Sequence, residues 1–430
     1  MGKFSGKKLL VLGSNVSAVD IIEYAKSEGA LTIAADFYPP ERSAAKRIAD
    51  ENVLISTADI DALDSLIKER KIDGVLSGIS EFNLLNAMEL SRRNNLPFYC
   101  SRDQWDRIES KELFRQLCIE CDVPCPATYF TGREIPDSLW ETLKYPLVMK
   151  PVDACTSAGV FICHSEAELR LHYKESLEKS NKGIIIIEEF IEGNEFTAHY
   201  AICGGKAALA CIDNRYPVAI HEGDVTTIPV ARIYPSVFAE DYIESVNASV
   251  VRLCEKTGVQ DGILFIQGIH NPDNGDFRIF EAGLRCAGEA PYRFLKTINN
   301  QNFIHIIVDH ALLGYSDYDI TKETPMLEGK CCGIVSYVAK HGTVGKITGL
   351  EETVGAIDGI LEYENRYPVG SETPDTDTLR QLMIRFVMSC DSRQLMAESI
   401  DKINRNINVF NTENEDMVVK FDPARLFGEF

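Results

Sequence analysis

Residues 262–285 read GILFIQGIHNPDNGDFRIFEAGLR, two apolar runs joined by Asn271-Pro272-Asp273-Asn274-Gly275. β-Branched and aromatic residues on either side of such a cluster predict a β-hairpin, with strands over 262–271 and 276–281. A turn centred on Asn274 sets Gln267 opposite Glu281 and Phe265 opposite Gly283. Directly opposed side chains share a face, with Cβ atoms about 4.5–5.5 Å apart. An amide oxygen and a carboxylate so placed suit a hard cation such as Mg²⁺. A slip of one residue would send them to opposite faces. A polar pair on a solvated face is the plainer alternative.

Upstream of the hairpin the sequence predicts antiparallel strands over 147–150, 159–163, 183–191, 195–203 and 207–213, then one helix over 240–257. Three segments there carry chemistry. Ser110-Lys111-Glu112-Leu113-Phe114 opens a helix that ends near Asp122; alone, Lys111 reads as a surface lysine. Tyr145-Pro146-Leu147-Val148-Met149-Lys150-Pro151 ends an apolar strand in a lysine, and a buried ammonium needs an anionic partner. The small, polar residues 153–159 that follow, Ser157 and Gly159 among them, let backbone N–H groups and hydroxyls approach phosphate oxygens. In the third segment Ile184-Ile185-Ile186-Ile187 reads as a buried strand and runs into Glu188-Glu189-Phe190-Ile191-Glu192-Gly193-Asn194-Glu195. Free backbone groups at such a strand end can pair with a purine edge, and a carboxylate a few residues on can accept both ribose hydroxyls. A strand ending at a charged turn is the simpler reading.

The first hundred residues alternate strand and helix: strands over 8–12, 31–35, 74–77 and 97–100, helices over 16–27, 60–70 and 82–93. That order implies βαβ units and a parallel, Rossmann-like sheet. Gly13 in the first turn and Asp36 after the second strand are a weak dinucleotide signature. From about Gly329 strands over 330–339, 345–350 and 360–367 mix with helices over 377–389 and 394–405, and 371–377 reads as a solvated acidic turn. The domains expected are 1–100, 101–325 and 326–430, α/β in the first and α+β in the others.

The chain has 430 residues, with 44 Lys and Arg against 65 Asp and Glu, a formal charge of −21. This argues against coating nucleic acid, which needs clustered cations. No apolar run approaches the ~18 residues of a membrane span, and no secretion signal is evident. Thirteen cysteines without such a signal argue against a disulfide framework, and the expected compartment is the cytoplasm. Cys118, Cys121 and Cys125 form a CxxC with a third Cys; a zinc site lacks a clear fourth ligand, and Cys118 and Cys121 fit a helix face with Leu113, Phe114 and Leu117.

Taken in order, Lys111, Lys150 with its loop, Glu188 to Glu195, then Gln267 and Glu281 resemble the ATP-grasp superfamily. The likeness is greatest to the branch holding biotin carboxylase, carbamoyl-phosphate synthetase and the amino-acid and peptide ligases. The resemblance implies a Rossmann-like pre-ATP-grasp domain, a two-lobed ATP-grasp domain and a C-terminal extension. It implies ATP with Mg²⁺ or Mn²⁺, and small carboxylate and amine substrates. It also implies an acyl-phosphate route to an amide, no nucleic-acid or membrane partner, and a homodimer. By resemblance, Lys111, Lys150, Ser157 and Gly159 hold the nucleotide phosphates and adenine side. Glu188, Glu189, Phe190 and Ile191 form the adenine hinge, Glu195 binds ribose, Gln267 and Glu281 bind metal, and Arg285 faces the reacting groups. The family's Glu-x-Asn is here Glu281-Ala282-Gly283, so one metal ligand is missing. Arg215, His199, His221 and Arg232 are candidates for the acceptor pocket, with Tyr292 and Arg293 behind them. A bicarbonate-using enzyme, a nucleotide-binding regulator weakened at Gly283, and an NAD(P) enzyme are the alternatives.

Overall fold

The computed structural model describes residues 2–153, 159–218, 228–376 and 378–428. Four parallel strands form the first sheet, in the order Glu51–Leu54, Leu31–Asp36, Lys8–Leu12, Gly74–Ser77. Helices cover both faces, so the strands are apolar on both: Leu9, Val11 and Ala34 enter one core, Leu10, Leu12 and Ile33 another. Side-chain caps start these helices. Asn15 caps Val16–Ser27, Asp59 caps Ile60–Arg70 and Ser80 caps Glu81–Asn94.

Residues 97–100 do not add the expected strand. Pro97 has no N–H for a ladder, and Tyr99 Oη instead donates to Leu284 O (3.0 Å), tying the segment to the next domain. The dinucleotide reading also loses its acid. Asp36 is buried, 3.1 Å from Lys46 Nζ, and accepts from Ser43 Oγ and Tyr38 N.

A small antiparallel sheet follows, ordered Thr128–Gly132, Ile185–Glu189, Leu147–Pro151, Phe161–Cys163, over its own core of Leu147, Met149, Ile185, Ile187 and Leu169. The central sheet is antiparallel too: Lys206–Ile212, Asn194–Cys203, Gly262–His270, Phe277–Gly283. Its core face packs with the first domain. The expected helix over 240–257 is two helices, Ala239–Ser245 and Asn247–Lys256, broken at Val246. The break leaves Asn247 Oδ1 to accept from buried Tyr200 Oη (2.9 Å).

The fourth sheet orders Asn214–Val218, Ile228–Tyr234, Cys331–Ala339, Leu382–Cys390, Ile360–Asn365. Strands Asn214–Val218 and Ile228–Tyr234 therefore lie in one sheet with the C-terminal strands although they precede the hairpin in sequence. Leu382–Cys390 is a strand where a helix over 377–389 was expected. It lies between two neighbours and is buried on both faces, with Met383, Ile384, Phe386, Val387 and Met388 all inside, so its pattern lacks the alternation of a half-exposed strand. Helix Arg393–Asn406 covers the far face. Cys118 is buried on helix Lys111–Glu120 with Phe114 and Leu117, and Cys121 is buried just past its end, while Leu113 is exposed rather than part of that face.

Candidate active site

Strand alternation sorts the central sheet into two faces. Register pairs Glu195 with Ile269, Thr197 with Gln267 and His199 with Phe265, and on the other side Gln267 with Glu281 and Phe265 with Gly283. Glu195, Thr197, His199, Phe265, Gln267, Glu281 and Gly283 thus share one face. Phe196, Ala198, Tyr200, Leu264, Ile266 and Ala282 share the other, inside the core.

The hairpin reaches this arrangement by a route the simple turn does not give. Gly268 pairs with Ile279, Ile269 with Arg278 and His270 with Phe277, so the register shifts by one beyond Gln267. The extra residue makes a β-bulge at Phe280. Phe277 and Ile279 face the core; without the bulge Glu281 would follow them. The bulge turns Glu281 out beside Gln267. Gln267 is half-buried and Glu281 exposed. One amide oxygen and one carboxylate leave most of an octahedral shell to phosphate oxygens and water, as Mg²⁺ favours, so this donor set fits one such ion.

The second family position does not. A Cβ on Gly283 would lie 2.5 Å from two carbons of the Phe265 ring. Arg285 stacks on the same ring, its Cζ 5.0 Å from the centroid. Phe265 therefore fills the space of the missing ligand.

Across from this face stands the small sheet with Lys150. Its Nζ lies 2.6 Å from Glu188 Oε2 and 5.9 Å from the centroid of Phe280. Glu188 Oε1 accepts from Arg115 Nε (2.9 Å) and Nη2 (2.7 Å), and Arg115 also donates to Ile279 O and Phe280 O. A single buried Arg115 thus ties the small lobe to the bulged strand. Burial pushes the Lys150 pKa down, and the nearby Arg115 and Lys111 add to this, against the pull of Glu188. Burial works to raise Glu188, but Lys150 and Arg115 outweigh it and hold the carboxyl below its usual range. Lys111 begins its helix and donates to Val152 O (3.4 Å), at the start of the loop after Lys150.

Asp153 and Gly159, the described residues on either side of 154–158, are both held by hydrogen bonds. Asp153 accepts from Ser180 Oγ and Lys182 N, and Gly159 O accepts from Ser176 Oγ. Gly159 has φ +74°, which suits glycine. Ser157 and His221 lie outside the described residues. Glu189 N and Oε2 both bond the backbone of Ala127, so Glu189 is spent inside the sheet. Phe190 and Ile191 continue as half-buried, unpaired chain, the part of the expected hinge whose backbone is open. Glu195 is held by Arg215.

The C-terminal sheet closes the site from the other side. Arg215 and Arg232 are register partners on its near face. Arg232 Nη1 donates to Asp213 Oδ2 (2.6 Å) and Thr197 Oγ1 (2.8 Å) and lies 3.7 Å from Glu289 Oε1. Burial would raise the Glu289 pKa, but Arg232 and His199 hold it well below the usual carboxylate range. His199 Nε2 is 3.5 Å from Glu289 Oε1 without hydrogen-bond alignment. Arg285 Nη2 donates to Glu81 Oε1 (3.0 Å) on the first domain. Tyr292 and Arg293, weaker candidates, bind Asp20 of the first domain instead, and Arg293 also pairs with Glu362. Arg115, Asp213, Glu289 and Arg385 were missed in the sequence; the one available sign was an arginine inside the apolar run 383–388.

A parallel first domain, a small lobe facing a bulged hairpin and a closing C-terminal sheet make up a two-lobed fold. The fold is the ATP-grasp fold. The family described as D-ala D-ala ligase C-terminus matches residues 126–216. Carbamoyl phosphate synthase large chain from Methanocorpusculum labreanum is 26% identical over 309 residues, 65% of this chain and 28% of that protein. The Clostridium beijerinckii counterpart is 24% identical over 310 residues, 67% and 28%. The chain thus spans less than a third of these curated relatives. Among solved structures, L-amino acid ligase from Bacillus licheniformis superposes with TM-score 0.77 at 18% identity, covering 95% of this chain and 99% of that one. The biotin carboxylase domain dimer of Hydrogenobacter thermophilus 2-oxoglutarate carboxylase, in complex with MgADP, ADP and bicarbonate, gives TM-score 0.75 at 16% identity, covering 94% and 91%. No helix among the described residues is long and apolar enough to cross a membrane.

Proposed function

We propose that this chain is an ATP-dependent carboxylate–amine (or thiol) ligase that works through an acyl phosphate and releases ADP and phosphate. The observation that carries the reading is the meeting of Lys150 with the bulged strand that presents Glu281 beside Gln267. Lys111, Lys150 and the backbone around Gly159 hold the phosphates; Phe190 and Ile191 take the adenine edge and Glu195 the ribose. Gln267 and Glu281 would hold Mg²⁺, which when bound neutralises charge on the β- and γ-phosphates. The substrate carboxylate attacks the γ-phosphorus, and ADP leaves. An amine then attacks the acyl carbon, and phosphate leaves as the C–N bond forms. No protein nucleophile is needed, because positioning and charge neutralisation carry phosphoryl transfer. Arg285, rigid on Phe265 and Glu81, holds the carboxylate and the charge that develops on it.

Incubation with Mg-ATP and pooled amino acids and carboxylates tests this. ADP release that depends on a pool member and vanishes in Lys150→Ala is expected. Nucleotide binding with no turnover across the panel would instead favour a regulatory protein, the reading that Phe265 in the place of a metal ligand supports. ADP release that depends on bicarbonate alone would favour a carboxylase or carbamoyl-phosphate-type enzyme.

A further inference from the structure

Helix Lys111–Glu120 ends in a turn that folds the chain back over its last residues. Asp122 has φ +57°, Val123 N donates to Cys118 O (2.9 Å) and Asp122 N to Ile119 O (3.3 Å), the paired bonds of a Schellman motif. Such a motif lays the residue after the turn, here Val123, against the one three places before the cap, here Cys118. The chain then runs Val123-Pro124-Cys125-Pro126. A residue before proline is held extended, so Val123 and Cys125 send their side chains to one side. Cys118, Cys121 and Val123 lie inside the core and Cys125 packs on it, half-buried. The Cys118 S–H is directed at the Cys125 sulfur.

This pair sits where the small lobe joins the rest of the molecule. The first strand of the lobe, Thr128–Gly132, is entered through residues 123–127. Pro124 O accepts from Ile279 N (2.8 Å) on the bulged strand, and Ala127 bonds Glu189 inside the lobe. Arg115, one turn before Cys118 on the same helix, reaches both sides through Glu188 and the carbonyls of Ile279 and Phe280. The bond from Cys118, with the charges of Arg115 and Arg278, holds the Cys125 pKa down at about 7, against burial and Glu188. The same bond, together with burial, pushes Cys118 up. Burial pushes up the remaining ten described cysteines, and Cys203, the other half-buried one, reaches about 11. Cys125 thus stands alone among the described cysteines in joining a partly exposed sulfur to thiolate character at neutral pH. An accessible thiolate beside a buried second thiol is the arrangement that reacts with peroxide and is then resolved.

We propose that Cys125 is a site of oxidation by hydrogen peroxide and that Cys118 resolves it as a disulfide. The Cys125 thiolate attacks one peroxide oxygen; the O–O bond breaks, and the departing hydroxide takes up a proton and leaves as water. The Cys118 sulfur then attacks the sulfur of the Cys125 sulfenic acid. The S–S bond forms, the S–O bond breaks, and the hydroxyl leaves with the Cys118 proton as a second water. The two thiols lose two electrons in all, which the peroxide takes up, and a dithiol reductant reverses the change. The new bond stitches the strand that enters the small lobe to the helix that carries Lys111 and Arg115, and so restrains the lobe that presents Lys150.

The test treats the reduced full chain with a small excess of hydrogen peroxide at neutral pH and maps its peptides by mass spectrometry. A Cys118–Cys125 disulfide, two hydrogens lighter and cleared by dithiothreitol, is expected before any other described cysteine is oxidised. Iodoacetamide should label Cys125 at least about 5-fold faster than the other described cysteines. About half of a thiol with a pKa of about 7 is thiolate at neutral pH, against about 1% at a pKa of about 9, and its lower nucleophilicity offsets about 10-fold of that ratio. In Cys118→Ser, which keeps a donor beside Cys125, a cyclic 1,3-dione should trap the sulfenic acid on Cys125; in Cys125→Ser no disulfide should form at Cys118. Calorimetric titration should show Mg-ATP bound more weakly by the oxidised chain and as before once dithiothreitol is added, and this readout alone rests on the ATP reading. Earlier oxidation of another described cysteine, a disulfide of different pairing, or Cys125 labelled no faster than the others overturns the proposal. Mg-ATP bound equally by both forms overturns the restraint on the lobe. Mg-ATP bound by neither form sinks the nucleotide reading, and the peptide map still decides the disulfide.

Discussion

Replacing Glu188 by Gln isolates the charge cluster on which the lysine grip depends. The carboxylate is 2% exposed and serves Arg115 through Oε1 and Lys150 through Oε2. Gln keeps the shape and one acceptor but removes the only anion paired with these two cations among the described residues. Removing one partner of a buried pair costs about 3–5 kcal/mol, because the remaining charge stays desolvated. The retained acceptor places Glu188→Gln at about 3 kcal/mol. The loss has a pH signature. Lys150 is already pulled down by burial, and without Glu188 it falls further. A lysine whose folded pKa lies below its unfolded value binds fewer protons when folded, so stability rises with pH between the two values. Urea unfolding should therefore show the largest deficit just above the carboxylate range, where Glu188 of wild type is ionised, shrinking as pH climbs towards the ordinary lysine value of 10.5. Calorimetric titration should show weaker Mg-ATP binding, since the lysine loses the carboxylate that orients it. Glu189→Gln, a half-buried neighbour outside the cluster, is the control and should cost under about 1 kcal/mol. A Glu188→Gln protein within about 0.5 kcal/mol of wild type, with no pH trend in the difference, would refute the reasoning.

Glu281→Ala should leave stability nearly unchanged, because the side chain is exposed, yet abolish Mg-dependent ADP release; full activity would remove it from the metal site. Gly283→Asn drives a side chain into the Phe265 ring and should destabilise by about 1–3 kcal/mol in thermal or urea unfolding. Phe265→Ala in the same protein should relieve that clash, and strictly additive losses would contradict it. Burial pushes Glu323 up to about 7, against the hydrogen bond from Tyr318, so the folded state keeps a proton that the unfolded state gives up. Stability should fall between pH ~4.5 and ~7 and level off above, a loss of at most about 3 kcal/mol that Glu323→Gln removes in unfolding titrations.

Much of this was legible before any coordinates. The parallel first domain followed from strand-like apolar runs spaced by helix-like stretches, and Gln267 was paired with Glu281 correctly. The pairing came from an idealised turn, whereas the molecule uses a shorter turn and a bulge. The sign was there: apolar residues fall on odd positions at Phe277 and Ile279, then on even ones at Ala282 and Leu284. The strand Leu382–Cys390 was not legible, because burial on both faces erases alternation, and Arg385 was lost with it. Arg115 looked like an ordinary helix arginine, because its counter-charge lies 73 residues away in sequence. Charge pairs of that separation leave no local pattern. The role of Phe265 could not be read either, since the emptiness of Gly283 has meaning only once the ring is placed against it.

The central claim is that two lysines and the bulged hairpin converge on one triphosphate. A crystal structure with Mn²⁺ and a non-hydrolysable ATP analogue tests it most directly, the metal being located by anomalous scattering. The account predicts one Mn²⁺ between the β- and γ-phosphates, ligated by Gln267 and Glu281, with Lys111 and Lys150 on the phosphates and the Phe265 ring still under position 283. An analogue bound elsewhere, or a metal that touches neither Gln267 nor Glu281, would contradict it.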